Sequence, residues 1–352
     1  MADNLEDLIG RMWTAALSGD DHGAADAALD ALDDGLPVED LLLDVLAPVQ
    51  SRVGDAWAAN DVTVAQEHLV TGVSERVLAA VVRHPAARAR LAGVRGRAVV
   101  ACVDGEWHAF PARLLAEVLR LNGWRVDFLG PHVPTPYLPI HAHEAAADLM
   151  LLSASLPTRL PAAHEAIAAC AGTGKPVLAG GAAFGGDGRY ARMLGAHGWA
   201  ADGRATAERL TGDRPFGTTA QEPPHAVDQE YEQIIGTAQD LAGSVMWRLG
   251  ERIPSMAAYS ERQLKHTRQD ILYIVEFLAM ALYVRDRTLF SRFLCWMAGL
   301  LTARGVPEQT LTPALELLAD VLKGCPRALA TVEHGQEVLR REHGKDKPGH
   351  PF

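Results

Sequence analysis

The sequence predicts an α/β domain placed between two all-helical ones, and three observations carry that reading. Alanine and leucine recur with helical periodicity over residues 1–85, short apolar runs alternate with helix-like segments from Arg97, and helical patterning returns at Gln229. A chain of 352 residues has room for two or three domains. With 48% hydrophobic and 22% charged residues, each of them can bury an ordinary globular core. The formal net charge of −11 works against non-specific contact with phosphates, so no direct nucleic-acid partner is expected. Cys102, Cys170, Cys295 and Cys325 show no CxxC and no regular spacing, a pattern of reduced thiols rather than a disulfide framework. The opening MADNLEDLIG lacks a basic-then-apolar leader, and apolar runs such as FLCWMAGLL from Phe293 fall far short of a spanning helix. The expectation is a soluble cytoplasmic protein with no membrane partner.

Four helices account for residues 1–85, over 3–18, 21–33, 38–59 and 62–84, with Pro37 at a helix start and Asp33-Asp34-Gly35 and Asn60-Asp61 as breaks. Four are enough for a small bundle. A basic, Ala/Gly-rich connector, HPAARARLAGVRG, follows. Between 95 and 210 the runs RAVVACV, RVDFLG, DLMLLSAS, KPVLAGG and GWAAD read as five strands. Continuous apolar strands separated by helices indicate a parallel sheet covered on both faces, here a flavodoxin-like doubly wound domain. Residues 211–228 are a linker by composition, 229–340 are helical, and the polar 341–352 read as a disordered tail.

Ligands of doubly wound sheets sit at the carboxyl ends of the strands. The loops there are DGEWHAFP after the first strand, SASLPT after the third and GGAAFGG after the fourth. The first holds Asp104, Glu106 and His108, and a carboxylate beside a histidine can fix its tautomer and raise its basicity. A solvated surface histidine is an equal reading at this level. Upstream, WAANDVTVAQEH places Trp57 nine residues before Glu67-His68. Taken alone, Trp57 reads as core, with Glu67 and His68 facing water. His132, His141, His143 and His164 form a weaker set, in which a hydrolytic metal site has no obvious activating group.

The combination Glu106-Trp107-His108, Ser153-Ala154-Ser155 and Gly180-Gly181 resembles the cobalamin-binding domain family, as do LGPHVP from Leu129 and AAFGG from Ala182. The resemblance spans about residues 1–210, since a helical bundle before the sheet is also that family's arrangement. It implies His108 as the lower axial ligand of cobalt, and a slot for the nucleotide tail lined by Ser153, Ser155, Gly180 and Gly181. The family's glycine three positions after the histidine is Pro111 here. Trp57, Glu67 and His68 are similar to the upper pocket of light-sensing adenosylcobalamin transcriptional repressors. There the tryptophan packs on the adenosyl group, and the Glu-His pair shapes its pocket. Those repressors carry a histidine directly after the tryptophan as a second cobalt ligand in the light; here that position is Ala58, with His68 the candidate substitute.

A cobalamin module followed by one helical domain resembles the photocobilins, which couple it to a globin- or phycobiliprotein-like domain holding biliverdin. That resemblance implies adenosylcobalamin and biliverdin as cofactors. The bilin candidates are His266 and Asp270 facing the pyrrole N–H groups, Arg268, Arg285 or Arg292 for the propionates, and Tyr273 or Trp296 as walls. Cys295 is a candidate for covalent attachment, with a core thiol the plainer reading. From pattern alone the same helices also read as a dimerisation bundle. The expected function is a non-enzymatic light sensor, a homo-oligomer with light-dependent assembly that signals to an unidentified effector protein. The alternatives are a corrinoid methyl-transfer or mutase component, and a cobalamin-responsive regulator that does not use light.

Overall fold

A computed structural model describes residues 2–88, 95–211, 229–306 and 310–342, with side chains from residue 5 onward. The chain divides into two compact units, one ending after the sheet and the other formed by the C-terminal helices. The linker expected over 211–228 lies outside the described residues from 212 onward. So does the expected tail from 343, while Arg341 and Glu342 belong to the last helix.

The first unit opens with α1 (Ala2–Ser18), α2 (Asp21–Asp33), α3 (38–58) and α4 (Val64–Val81), followed by the short α5 (Pro85–Arg88). Asp20 caps α2 by accepting the Gly23 N–H. α4 starts at Val64 rather than at residue 62 because Thr63 and Gln66 form a capping box, each side chain bonding the other's backbone N–H. α3 departs from the expected plain helix: Leu41–Leu46 is a π-helical stretch between two α segments. It re-aims the residues downstream, among them Gln50 and Trp57.

The sheet has β1 (Gly96–Cys102), β2 (Trp124–Gly130), β3 (Leu149–Ser153), β4 (Val177–Gly180) and β5 (Gly198–Trp199), all parallel, in the order 2-1-3-4-5. This is the doubly wound arrangement the sequence predicts. The intervening helices are α6 (Phe110–Leu121), α7 (Tyr137–Glu144), α8 (Leu160–Ala171), α9 (Arg189–Met193) and the closing α10 (Gly203–Thr211). Pro111 sits in the first turn of α6, where its missing N–H costs nothing.

The bundle and the sheet share a core. Phe110, Leu114 and Val118 of α6 are buried in the same cluster as Leu8, Met12, Leu41, Val45 and Val77 of the bundle. At its margin the Arg204 guanidinium on α10 reaches Asp40 and Asp44 on α3, both at 3.0 Å, and Asn122 donates to Glu39 at 3.2 Å. The apolar contact does most of the work, because the ion pairs are well exposed and screened. The bundle is therefore seated on α6, and its orientation over the sheet is set by packing.

The second unit contains α11 (Gln229–Gly236), α12 (Ala238–Arg252), α13 (Glu261–Tyr283), α14 (Arg287–Ala303), α15 (Leu311–Val321) and α16 (Pro326–Glu342). α13 is its axis: from Ile271 to Val284 almost every side chain is buried, whereas the preceding turns are largely exposed. Among the described residues no helix is long and apolar enough to cross a membrane.

Candidate functional site

In the order 2-1-3-4-5 the connections reverse direction between β1 and β3, which opens a crevice at their carboxyl ends. Cys102 pairs with Ser153 and Ser153 with Gly180, so the loops after β1, β3 and β4 emerge side by side. Local geometry shapes the first loop. Gly105 takes φ +73, a conformation that strains a residue with a Cβ, and a Cβ there would stand 2.6 Å from the Arg159 guanidinium. The loop is pinned from β2, because the Gly105 N–H donates to His132 Nδ1 (2.8 Å) and the His132 N–H donates to the Glu106 carbonyl (2.9 Å). The exposed Trp107 ring stacks on the His132 ring at 4.8 Å.

Glu106 is the anchor of this loop. Its residue is 1% exposed, and its carboxylate accepts the backbone N–H of His108 (2.8 Å), the His108 Nδ1–H (2.6 Å) and the backbone N–H groups of Ser155 (2.6 Å) and Leu156 (3.3 Å). Burial alone would raise its pKa, but the hydrogen bonds from His108 and Ser155 overcome that and hold it at about 2. The bond to Glu106 raises the pKa of His108 against the opposing effect of burial, and the Glu67 carboxylate on α4 adds to the rise. With Nδ1 held by the carboxylate, Nε2 is left to face the crevice from a side chain that is 55% exposed.

The bundle is anchored beside this loop, because Phe110, two residues after His108, is buried in the bundle core, and α4 forms the candidate roof of the crevice. On the roof, the Glu67 carboxylate bonds His68 Nδ1 through one oxygen and accepts from the Thr71 hydroxyl (3.3 Å) through the other. Thr71 in turn accepts from Gln50 Nε2 at 2.7 Å. Trp57, two turns beyond Gln50 on α3, is half-buried against the bundle core rather than part of it, and His68 is exposed.

Behind the crevice, Ser153 is 6% exposed, and Gly181 has φ +100 with room for no Cβ, which would lie 2.3 Å from the Ala154 carbonyl oxygen. At Gly180 a Cβ would meet only the Ala200 carbonyl, at 3.8 Å, so the position is open. Ser155 takes part through its backbone N–H, which binds Glu106.

Residues 8–81 and residues 96–211 each match a family model described as a B12 binding domain. The chain carries B12-binding domains. Over 123 residues it is 36% identical to the HTH-type transcriptional repressor CarH of Myxococcus xanthus, an alignment covering 34% of this chain and 38% of that protein. The chain thus spans well under half the length of the curated relative it matches. Among solved structures, the Methanosarcina barkeri monomethylamine corrinoid protein aligns at a TM-score of 0.49 and 18% identity, covering 58% of this chain and 97% of that one. A cobalamin-binding protein from Desulfitobacterium hafniense DCB-2 aligns at a TM-score of 0.32 and 15% identity, covering 58% and 98%.

The residues suit a cobalamin on chemical grounds. A neutral imidazole whose Nδ1–H is held by a buried carboxylate presents Nε2 as a ligand for a first-row transition metal such as cobalt. Three buried polar atoms around the crevice and roof, Gln50 Oε1, Thr135 Oγ1 and Arg159 Nε, have no hydrogen-bond partner among the described residues. Such vacancies suit a ligand rich in amides. The set His132, His141, His143 and His164 does not converge. His132 serves the Glu106 loop, His141 bonds Asp127 at 3.0 Å, and no three metal-binding side chains meet among the described residues.

In the second unit the structure separates the expected bilin residues. His266 and Arg268 are exposed, Tyr273 is 44% exposed, and Asp270 is half-buried. Burial raises the pKa of Asp270, opposed by the charges of His266 and Arg304. Arg285 lies fifteen residues beyond Asp270, past the far end of α13, about 20 Å away by helix rise. Arg285 lines instead a cavity of about 690 Å³ with Arg287 and Arg327. Arg292 is exposed on α14. The sequence reading passed over Arg304, because only the packing of α13 on α14 brings it to Asp270. It likewise missed Gln50, Thr71 and Arg159, of which Thr71 alone leaves a trace, four residues after Glu67 on the same helix face.

Proposed function

We propose that the first unit binds adenosylcobalamin between sheet and bundle, with His108 as the lower axial ligand and Trp57, Glu67 and His68 around the upper group, and that the chain is a light sensor. The observation that carries this reading is the pairing of a histidine held by a buried carboxylate with a bundle whose Glu67 lies close enough to shift it. When bound, adenosylcobalamin supplies a cobalt–carbon bond that light can break. Glu106 keeps the His108 proton on Nδ1, so that Nε2 stays a ligand. Trp57 gives an apolar wall that keeps water from the upper face, and Glu67 and His68 offer hydrogen bonds to a ribose. Gly180 would leave space for the nucleotide tail beside the sheet, with Ser153 and Gly181 shaping the strand ends next to it. Ala58 has no donor atom, so the second imidazole of those repressors has no counterpart at this position. Loss of the upper group would alter how the bundle sits on α6, and the signal would leave as a change in self-assembly read by an effector protein.

In the second unit we place biliverdin beside Asp270, His266 and Arg304, with Tyr273 as a flanking wall. Burial raises the pKa of the Cys295 thiol and makes it a poor nucleophile, so the bilin would be held without a covalent bond. The test is an absorption spectrum of protein supplied with both cofactors, before and after green light. The expected result is an adenosylcobalamin spectrum that changes on illumination, a separate red-absorbing band, and loss of the histidine-ligated cobalamin signature in His108→Ala. A cobalamin spectrum unchanged by light would sink the sensor reading, whereas absence of the red band would remove the bilin alone.

A further inference from the structure

Gln50 on α3 and Thr71 on α4 belong to none of the motifs described above, yet their side chains form a hydrogen bond between the helices that carry Trp57 and Glu67. Residues 50 and 57 are seven apart on α3 and share a face, as do Glu67 and Thr71, four apart on α4. The direction of the link follows from counting protons. A threonine hydroxyl has one hydrogen. Thr71 spends it on the Glu67 carboxylate (3.3 Å), because a carboxylate can only accept. Thr71 must then accept from Gln50, which fixes the amide with Nε2 toward it at 2.7 Å and Oε1 turned away. That Oε1 is buried and has no hydrogen-bond partner among the described residues, so there the amide is held at one end, by Thr71.

We infer that Gln50 and Thr71 are positioning residues for the upper-ligand pocket: their hydrogen bond sets the register of α3 against α4, and so fixes the spacing between the Trp57 wall and the Glu67–His68 pair. The inference rests on the adenosylcobalamin reading and deepens it, because it makes discrimination between upper ligands depend on two residues that need not touch the ligand. A bulky upper group fills the space between the two walls and registers their spacing. A small one, such as hydroxide, does not. The floor at His108 is built from other loops and is indifferent to the change.

The experiment is a dark titration of the full chain and its variants with adenosylcobalamin and, separately, hydroxocobalamin, alongside circular dichroism of the cobalamin-free proteins. Thr71→Val, which keeps the shape and removes the hydroxyl, is expected to lose about tenfold in adenosylcobalamin affinity. Hydroxocobalamin affinity should stay within about twofold of wild type. Thr71→Ser should restore the wild-type ratio. Gln50→Met breaks the same link from the other side and should reproduce the selective loss if Thr71→Val does not fold. Equal losses for both cobalamins, or no loss in a folded variant, would overturn the inference while leaving the binding mode intact. Wild-type protein that bound hydroxocobalamin and took no adenosylcobalamin would instead refute the upper pocket, and this inference with it.

Discussion

Floor and roof of the crevice use the same chemical pair, a glutamate whose carboxylate holds a histidine Nδ1, and differ in how the carboxylate is held. Glu106 has a side chain 1% exposed and gathers bonds from three backbone N–H groups as well as His108. Glu67 has a side chain 27% exposed and is held by two neighbours on its own helix, His68 and Thr71. Low local dielectric and multiple donors make the first pair rigid before any ligand arrives. The second can reorient at little cost, because water replaces whatever bond it loses. A fixed floor suits a permanent metal ligand, and an adjustable roof suits an upper group that comes and goes.

Breaking the floor should have the largest effect. Glu106→Gln removes the charge and one acceptor face, and should weaken cobalamin affinity by roughly 10–100-fold in an equilibrium titration, in line with outer-sphere partners of metal-bound histidine. The same carboxylate gives a signature in the cobalamin-free protein. Its folded pKa of about 2 lies below the ordinary 4.5, so its stabilisation is fully present above about pH 4.5 and is lost as pH falls toward 2. The full loss is on the order of 3 kcal/mol, of which about 2 kcal/mol falls between pH 7 and pH 3, and urea melts over that range should show it in wild type but not in Glu106→Gln.

A smaller change in the floor sharpens the claim that it is preformed. Gly181→Ala forces a Cβ at φ +100 against the Ala154 carbonyl and should cost about 1–3 kcal/mol in the cobalamin-free protein, read from the urea midpoint. If the loop relaxed without loss, the floor would be less rigid than its hydrogen bonds imply. On the roof, Trp57→Phe keeps an aromatic wall but shortens it. Adenosylcobalamin affinity should fall by less than about tenfold and hydroxocobalamin affinity should not move, since one shortened contact is worth roughly 1 kcal/mol. An equal fall for both would make the roof part of the floor's rigid body and erase the contrast.

Much of this arrangement was legible in the chain. Continuous apolar runs marked the five strands, and Glu106-Trp107-His108 and Gly180-Gly181 pointed to their carboxyl ends, because local patterns encode local structure. The π-helical stretch over Leu41–Leu46 was not legible, since its apolar residues suit an α-helix equally well. The separation of Arg285 from Asp270 follows from counting along α13, but the electrostatic influence of Arg304 on Asp270 does not, because it depends on how two helices pack.

Sequence by itself determined the order of helices and strands, the loop that carries His108, and the glycines that strand-end geometry requires. These depend on interactions between residues a few positions apart. Only the tertiary structure decided that Ser155 and Leu156 close the shell around Glu106 and that Gln50 reaches Thr71. Those contacts join residues from 21 to about 50 positions apart, and they exist because the bundle and α6 bury one common core. No local periodicity records which face of a helix meets a distant loop; the burial of apolar surface selects it.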